Sequence, residues 1–345
     1  MILTLVNRLK HKRPNLKLTA LIFSVFICTI SSAQQSGQMH GLSLVSVNQK
    51  LDSTFVTPIE NINADWVCVM PYAYQSGEQV PIVKYNAPWQ WRGERLEGAR
   101  ETIKLLQKKD INILLKPHLW IGHGFYTGHL DFEVEKDRAL WQETYQTYIL
   151  DFARLAEEED VELFSVGTEL RELSKYVTYW DTLIQEVRKV YSGELTYAAN
   201  WDDYHQVGFW DKLDYIGIDA YFPVATNIRS SKKDMIKTWD DHLGRIDSLQ
   251  QAYGKQIIFT EYGYRSIAKC GVEPWDFSHH KRTNEDQQIE ALEALYEAVW
   301  TKSWFAGGFL WNWYPNHESA GGSGDSMFTV QNKKAEAIVR DQYAQ

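Results

Sequence analysis

Leu163-Phe164-Ser165-Val166-Gly167-Thr168-Glu169-Leu170 is a short apolar run that stops on a carboxylate. Ahead of it, residues 136–158 carry Trp141, Tyr145, Tyr148, Phe152 and Leu155 at helical spacing. Behind it, residues 179–191 repeat a helical pattern, and residues 195–199 form the next apolar run. A strand that is apolar throughout belongs in a sheet covered on both faces. The same alternation extends both ways along the chain. Strands are predicted at residues 41–47, 66–70, 111–116, 163–167, 195–199, 213–218, 256–259 and 307–311. Further helices are predicted at 94–109, 232–253, 286–302 and 334–343, and residues 72–92 read as a long loop rich in Tyr and Trp. Eight such units predict an α/β protein with a single closed (β/α)8 TIM barrel over residues 34–345. No Gly-x-Gly-x-x-Gly follows the first strand, which argues against a dinucleotide-binding sheet.

Composition narrows the function classes. The chain has 345 residues, with 36 Lys+Arg against 45 Asp+Glu. Five of the basic residues and no acidic ones lie in residues 1–33, so the remainder carries 31 against 45, a net of −14. An acidic surface argues against nucleic acid or an anionic membrane as partner. A hydrophobic fraction of 44% with 23% charged residues excludes a disordered chain. The 14 tryptophans are enough to line a groove that stacks sugar rings as well as to fill a core.

The N-terminus has the pattern of a signal peptide over residues 1–33. A basic stretch ends at Lys17, an apolar run reaches Ile30, and Ser31-Ser32-Ala33 supplies small residues for cleavage. The run is shorter than the roughly 20 residues that a spanning helix needs. The expectation is a secreted or periplasmic protein with no membrane contact after cleavage; an uncleaved anchor is the alternative. Oligomeric state is not legible. Cys68 and Cys270, left after cleavage, make no disulfide framework, and Cys68 reads as a buried small hydrophobe.

In a barrel of this kind the chemistry sits at the C-terminal ends of the strands. Strand four ends in Glu169, and strand seven ends in Phe259-Thr260-Glu261-Tyr262-Gly263. If Ser165 and Gly167 face the interior, so does Glu169; if Ile257 and Phe259 do, so does Glu261. Two carboxylates would then face one another across the mouth. A lone Glu there caps a helix or forms an ion pair. A facing pair suits glycoside hydrolysis, where one carboxyl donates a proton and the other attacks the anomeric carbon.

These stretches resemble clan A glycoside hydrolases, and in closer detail glycoside hydrolase family 113, the β-mannanase family. The matching pieces are Leu114-Leu115-Lys116-Pro117-His118, Phe164-Ser165-Val166-Gly167-Thr168-Glu169-Leu170 and Tyr197-Ala198-Ala199-Asn200-Trp201. They continue with Asp214-Tyr215-Ile216-Gly217-Ile218-Asp219-Ala220-Tyr221-Phe222-Pro223 and Phe259-Thr260-Glu261-Tyr262-Gly263-Tyr264. The resemblance covers about residues 41–340. It implies Glu169 as acid/base, Glu261 as nucleophile, and Tyr221 as a hydrogen-bond partner that keeps the nucleophile ionised. Most of the clan has Asn before the acid/base; here Thr168 stands there, so another donor serves the sugar or that contact is weaker.

Further binding candidates come from position. His118 ends strand three, Asn200-Trp201 follow strand five, and Trp311 and Trp313 end strand eight on one parity, with Trp311 the floor of the sugar site and Trp313 either floor or core. Trp89, Trp91 and Trp120 are candidates for outer sugar positions or for rim cover, and Asp202 and Asp203 read as solvated loop charges. His118, His123 and His129 lack the spacing of a metal site on one element, so no metal and no cofactor is expected. The expected function is retaining hydrolysis of β-1,4-linked polysaccharide or oligosaccharide, foremost β-mannan. Alternatives are another clan A β-glycosidase, such as a β-glucanase or xylanase, and a barrel that binds sugar without cleaving it.

Overall fold

A computed structural model describes residues 37–277 and 282–345; the N-terminal signal pattern lies outside the described residues. In chain order the elements are β1 (Met39–Leu44), α1 (Thr57–Asn61), β2 (Trp66–Val69), β3 (Tyr72–Gln75), α2 (Leu96–Gln107), β4 (Asn112–Leu115) and β5 (His118–Ile121). Next come α3 (Glu135–Glu158), β6 (Leu163–Thr168), α4 (Arg171–Ser174), α5 (Val177–Arg188), β7 (Glu194–Asn200) and β8 (Ile216–Asp219). The last are α6 (Lys232–Tyr253), β9 (Ile257–Tyr262), α7 (Glu285–Leu295), β10 (Phe305–Trp313) and α8 (Lys334–Tyr343). Eight strands close into a parallel barrel in the order β1-β10-β9-β8-β7-β6-β4-β2. The predicted (β/α)8 architecture is the observed one. The loop predicted over residues 72–92 contains β3, which pairs with β5 as a separate two-stranded ribbon.

The helices form where apolar residues recur on one side. On α2 the buried positions are Gly98, Ala99, Thr102, Ile103 and Leu106; on α3 they include Trp141, Tyr145, Tyr148 and Phe152. Capping sharpens α6, where the Ser231 side chain accepts from Asp234 N and the Asp234 side chain accepts from Ser231 N. Between helices and barrel lies a large apolar layer, and inside the barrel lies a second cluster of Met39, Cys68, Met70, Leu114, Leu163, Ile258 and Phe309. Gly41 makes room for it, since a Cβ there would stand 2.3 Å from the Phe309 ring.

Three strands break their alternation near the mouth, and this corrects the parity argument made from the sequence. In β6, Ser165 is level with Thr196 but Thr168 with Ala198, so one extra residue is inserted. Gly167 consequently faces the helices: a Cβ there would lie 2.9 Å from Trp180 and Tyr197 and 3.0 Å from the Tyr145 hydroxyl. In β9 it is Ile258 that faces inward, while Ile257 and Phe259 pack outward and Phe259 stacks on Trp239 of α6. A bulge between Phe259 and Glu261, visible against both neighbouring strands, returns Glu261 to the inside. In β10 the register slips between Leu310 and Trp313. Trp311 therefore faces the barrel interior and Trp313 the outer core.

Candidate active site

At the C-terminal mouth a cavity of about 550 Å³ is lined by Glu169, Glu261, His118, Tyr221 and Trp311, by Asn200, Trp201 and Asp202, and by Tyr126, Arg171, Trp275 and Phe277. Its size suits a small-molecule or sugar site. Of the two catalytic candidates and the binding candidates His118, Asn200, Trp201, Tyr221, Trp311 and Trp313, seven of the eight line it. Trp313 does not: it is fully buried, with its ring 5.5 Å from His317, because the β10 bulge turns it away.

Glu169 directly follows β6, with its backbone in the left-handed region at φ 50°. A non-glycine residue held there costs on the order of 1–2 kcal/mol. The turn is pinned by Glu169 N donating to Ala198 O at 2.8 Å and Leu170 N donating to the Tyr197 hydroxyl at 2.8 Å. Glu261 is level with Asp219 of β8, which is level with Asn200 of β7, so three neighbouring strands bring polar groups to one height.

Hydrogen bonding separates the two carboxyls. Glu261 accepts from the Lys116 ammonium at 2.6 Å and from the Tyr221 hydroxyl at 2.7 Å. Lys116 is fully buried, and its Nζ also donates to Asp219 Oδ1 at 2.8 Å, an oxygen that further accepts from Thr260 at 2.7 Å. Burial opposes the lysine's charge, but Asp219 and Glu261 outweigh it and hold the ammonium protonated. Burial and Asp219 push the Glu261 carboxyl up to about 7, against the pull of Lys116 and Tyr221. Glu169 makes no side-chain hydrogen bond to any described residue, and burial, Asp219 and Glu261 drive its carboxyl well above the usual range. A proton shared by this pair is therefore favoured on Glu169, since Lys116 and Tyr221 favour the ionised form of Glu261 and no described residue does the same for Glu169.

His118 stands beside them, its Nε2 3.7 Å from Glu261 Oε1. Burial and the Lys116 charge hold its imidazole neutral, and Nε2 makes no hydrogen bond to a described residue. Asn200 donates to the Tyr126 hydroxyl at 2.6 Å, and Trp201 stacks on Trp275 at 4.9 Å and 16°. Asp202 and Asp203, expected as solvated loop charges, are both held by Arg171, at 2.7 and 3.2 Å. Asp203 is buried, and burial together with Asp202 pushes its carboxyl up to about 6.

Sequence reasoning missed Lys116 and Asp219 as site residues. The strand-end rule that selected the glutamates applies equally to them: each closes an apolar run, at 111–116 and 213–218. Tyr126, Arg171, Trp275 and Phe277 sit on loops or on the short α4, where no periodic signal marks them.

A closed eight-stranded barrel with two unequal carboxyls in an aromatic cavity at its C-terminal mouth has the ground plan of a glycoside hydrolase. The chain belongs to Glycoside Hydrolase Family 113, whose family model matches residues 48–333. Among solved structures it is similar to a GH113 β-1,4-mannanase in complex form, at TM-score 0.79 and 23% identity, covering 90% of this chain and 99% of that one. It is equally similar to the GH113 β-mannanase of Alicyclobacillus acidocaldarius in complex with ManMIm, at TM-score 0.79 and 24% identity, covering 89% and 97%. The Faecalibacterium prausnitzii β-glucuronidase shares the fold at TM-score 0.61 and 15% identity, covering 89% of this chain and 49% of that one. No curated protein sequence matches.

Proposed function

We propose that the protein hydrolyses β-1,4-linked neutral glycans, with β-mannan as the substrate, by double displacement through Glu261 and Glu169. The observation that carries the roles is the hydrogen-bond asymmetry: Lys116 and Tyr221 donate to Glu261, and among the described residues none donates to the Glu169 side chain. In the first step a Glu261 oxygen bonds to the anomeric carbon, the glycosidic C–O bond breaks, and the Glu169 proton goes to the leaving oxygen. In the second, Glu169, now a carboxylate, takes a proton from water as the water oxygen displaces Glu261. His118 Nε2 and the Asn200 amide are placed to bind hydroxyls, and Trp311 and the Trp201–Trp275 stack to cover the rings.

Family membership and the similarity to β-1,4-mannanases support mannan as the substrate. The shared fold of β-glucuronidases raises a uronate alternative, which the cavity's charge disfavours. Among the described residues, the two cations at the cavity are already paired, Lys116 with Asp219 and Glu261 and Arg171 with Asp202 and Asp203. A substrate carboxylate would meet acidic groups. The basic and then apolar N-terminal pattern supports an exported enzyme.

The test is incubation with mannan, glucomannan, β-glucan, xylan and a glucuronide, with the first-formed anomer read by proton NMR. Fastest release from mannan with β-configured product is expected; an α-configured first product refutes double displacement. A 2-deoxy-2-fluoro mannoside should label Glu261, as found by peptide mapping. Glu169→Gln should lose about 10²–10⁴-fold in kcat on mannan. It should lose less in the first step on a glycoside whose leaving group needs no proton.

A further inference from the structure

Three tryptophans outside the cavity stand largely in water: Trp89 at 60% exposure, Trp91 at 52% and Trp120 at 53%. The β3–β5 ribbon relates two of them to the carboxylates. Tyr72 is level with His118, and Tyr74 with Trp120. Side chains level on parallel neighbours share a face, and alternate residues return to it. Tyr72, His118, Tyr74 and Trp120 thus form one face. The opposite face, with Ala73, Gln75, Leu119 and Ile121, is buried, and Gln75 accepts from the Trp141 indole of α3 at 3.0 Å.

The open face starts in the cavity, at His118, and climbs about 7 Å to Trp120 and Tyr74. Trp89 continues it, with its ring edge-on to Tyr74 at 4.9 Å and 75°. The segment carrying Trp89 and Trp91 is tied down. Tyr74 donates to Glu94 at 2.8 Å, the same carboxylate accepts from Trp91 N at 3.1 Å, and Gln90 donates to Tyr72 O at 2.8 Å. The nearby Arg92 is paired with Glu97 and Glu101, so the row presents rings rather than free charge. Half-buried Tyr72 and Tyr74 thus link the cavity to exposed Trp89 and Trp120 on a pinned surface, and exposed apolar groups grouped in this way suit a binding surface.

We infer that this face is a distal binding track for the part of a neutral glycan chain that extends beyond the cavity. It rests on the reading of the cavity as a glycan hydrolase site. Its occupant is a polysaccharide because the row is continuous with that cavity, and because stacked rings suit the C–H faces of pyranoses while leaving their hydroxyls in water.

Affinity electrophoresis of the full chain in gels holding soluble galactomannan tests it, with Trp89→Ala, Trp120→Ala and the double variant beside wild type. Each alanine should weaken retardation. Each should also lower the ratio of kcat/KM on polymer to that on a short aryl mannoside by about three- to tenfold. Trp120→Phe should restore most of the ratio. Circular dichroism and melting temperatures check that the variants fold. Unchanged retardation and an unchanged ratio in folded variants overturn the track even if mannan is cleaved. Absence of any glycan turnover would refute the hydrolase reading, while retardation lost on Trp→Ala would still uphold the track. A wild-type dimer on gel filtration that these substitutions dissociate would assign the face to a second copy and overturn the track.

Discussion

Lys116 carries more of the site than any residue of its size. Its ammonium is fully buried and, among the described residues, is held by Asp219 and Glu261. Removing one member of a buried ion pair leaves an uncompensated charge and costs about 3–5 kcal/mol. Lys116→Met should therefore melt at a lower temperature. The sign of its pH effect follows from Glu261. A carboxylate that loses its cation binds a proton more tightly, so a higher pH is needed to ionise it. The wild-type pair needs one proton, so kcat/KM should be bell-shaped, with the acid limb set by ionisation of the pair to its active form and the basic limb by loss of the Glu169 proton. In Lys116→Met the acid limb should move to higher pH, and Lys116→Arg, which keeps the charge, should move it less. An acid limb that stays put or moves down would show that Lys116 does not hold Glu261 ionised.

Elements place these residues through their irregularities. Each of β6, β9 and β10 has a bulge at the mouth, where bulges commonly re-aim side chains next to active sites, and β10 has a further register shift at its other end, between Phe305 and Gly307. In β6 the device depends on Gly167, because a Cβ there would stand only 2.9–3.0 Å from Trp180, Tyr197 and the Tyr145 hydroxyl. Gly167→Ala must push at least one of these rings, and overpacking of this kind costs about 1–3 kcal/mol. The expected outcome is a lower melting temperature together with reduced kcat, because Glu169 sits two residues on and its turn is pinned to Tyr197. Wild-type stability in Gly167→Ala would mean that the layer yields freely there.

On the scale of the molecule, closure of the barrel separates an inner from an outer core and seals both described cysteines. Cys68 is inside the barrel and Cys270 lies in the outer apolar layer; both thiols are free and buried. Burial pushes each thiol up, Cys270 to about 12, which leaves almost no thiolate at neutral pH. Neither should be labelled by a thiol reagent, read by peptide mapping, until denaturant opens the fold. The melting temperature should be the same with and without reductant. Rapid labelling of either residue in the native state would contradict the burial.

The architecture was legible because it rests on local periodicity. Runs such as 163–167 and 256–259 show their type within a few residues, and eight of them interleaved with amphipathic helices admit few topologies. The strand-end rule also singled out Glu169 and Glu261 as residues at the mouth, since it needs only the end of an apolar run. Their orientation was decided by tertiary structure. A bulge exists relative to a neighbouring strand, so no single run shows that Gly167 faces the helices or that Trp313 leaves the cavity that Trp311 enters. Lys116 bonding Glu261, Asp203 buried under Arg171, and Trp275 stacked on Trp201 join residues far apart in the chain. Such pairings depend on which strand ends the closed barrel brings together, and separation along the chain carries no record of that.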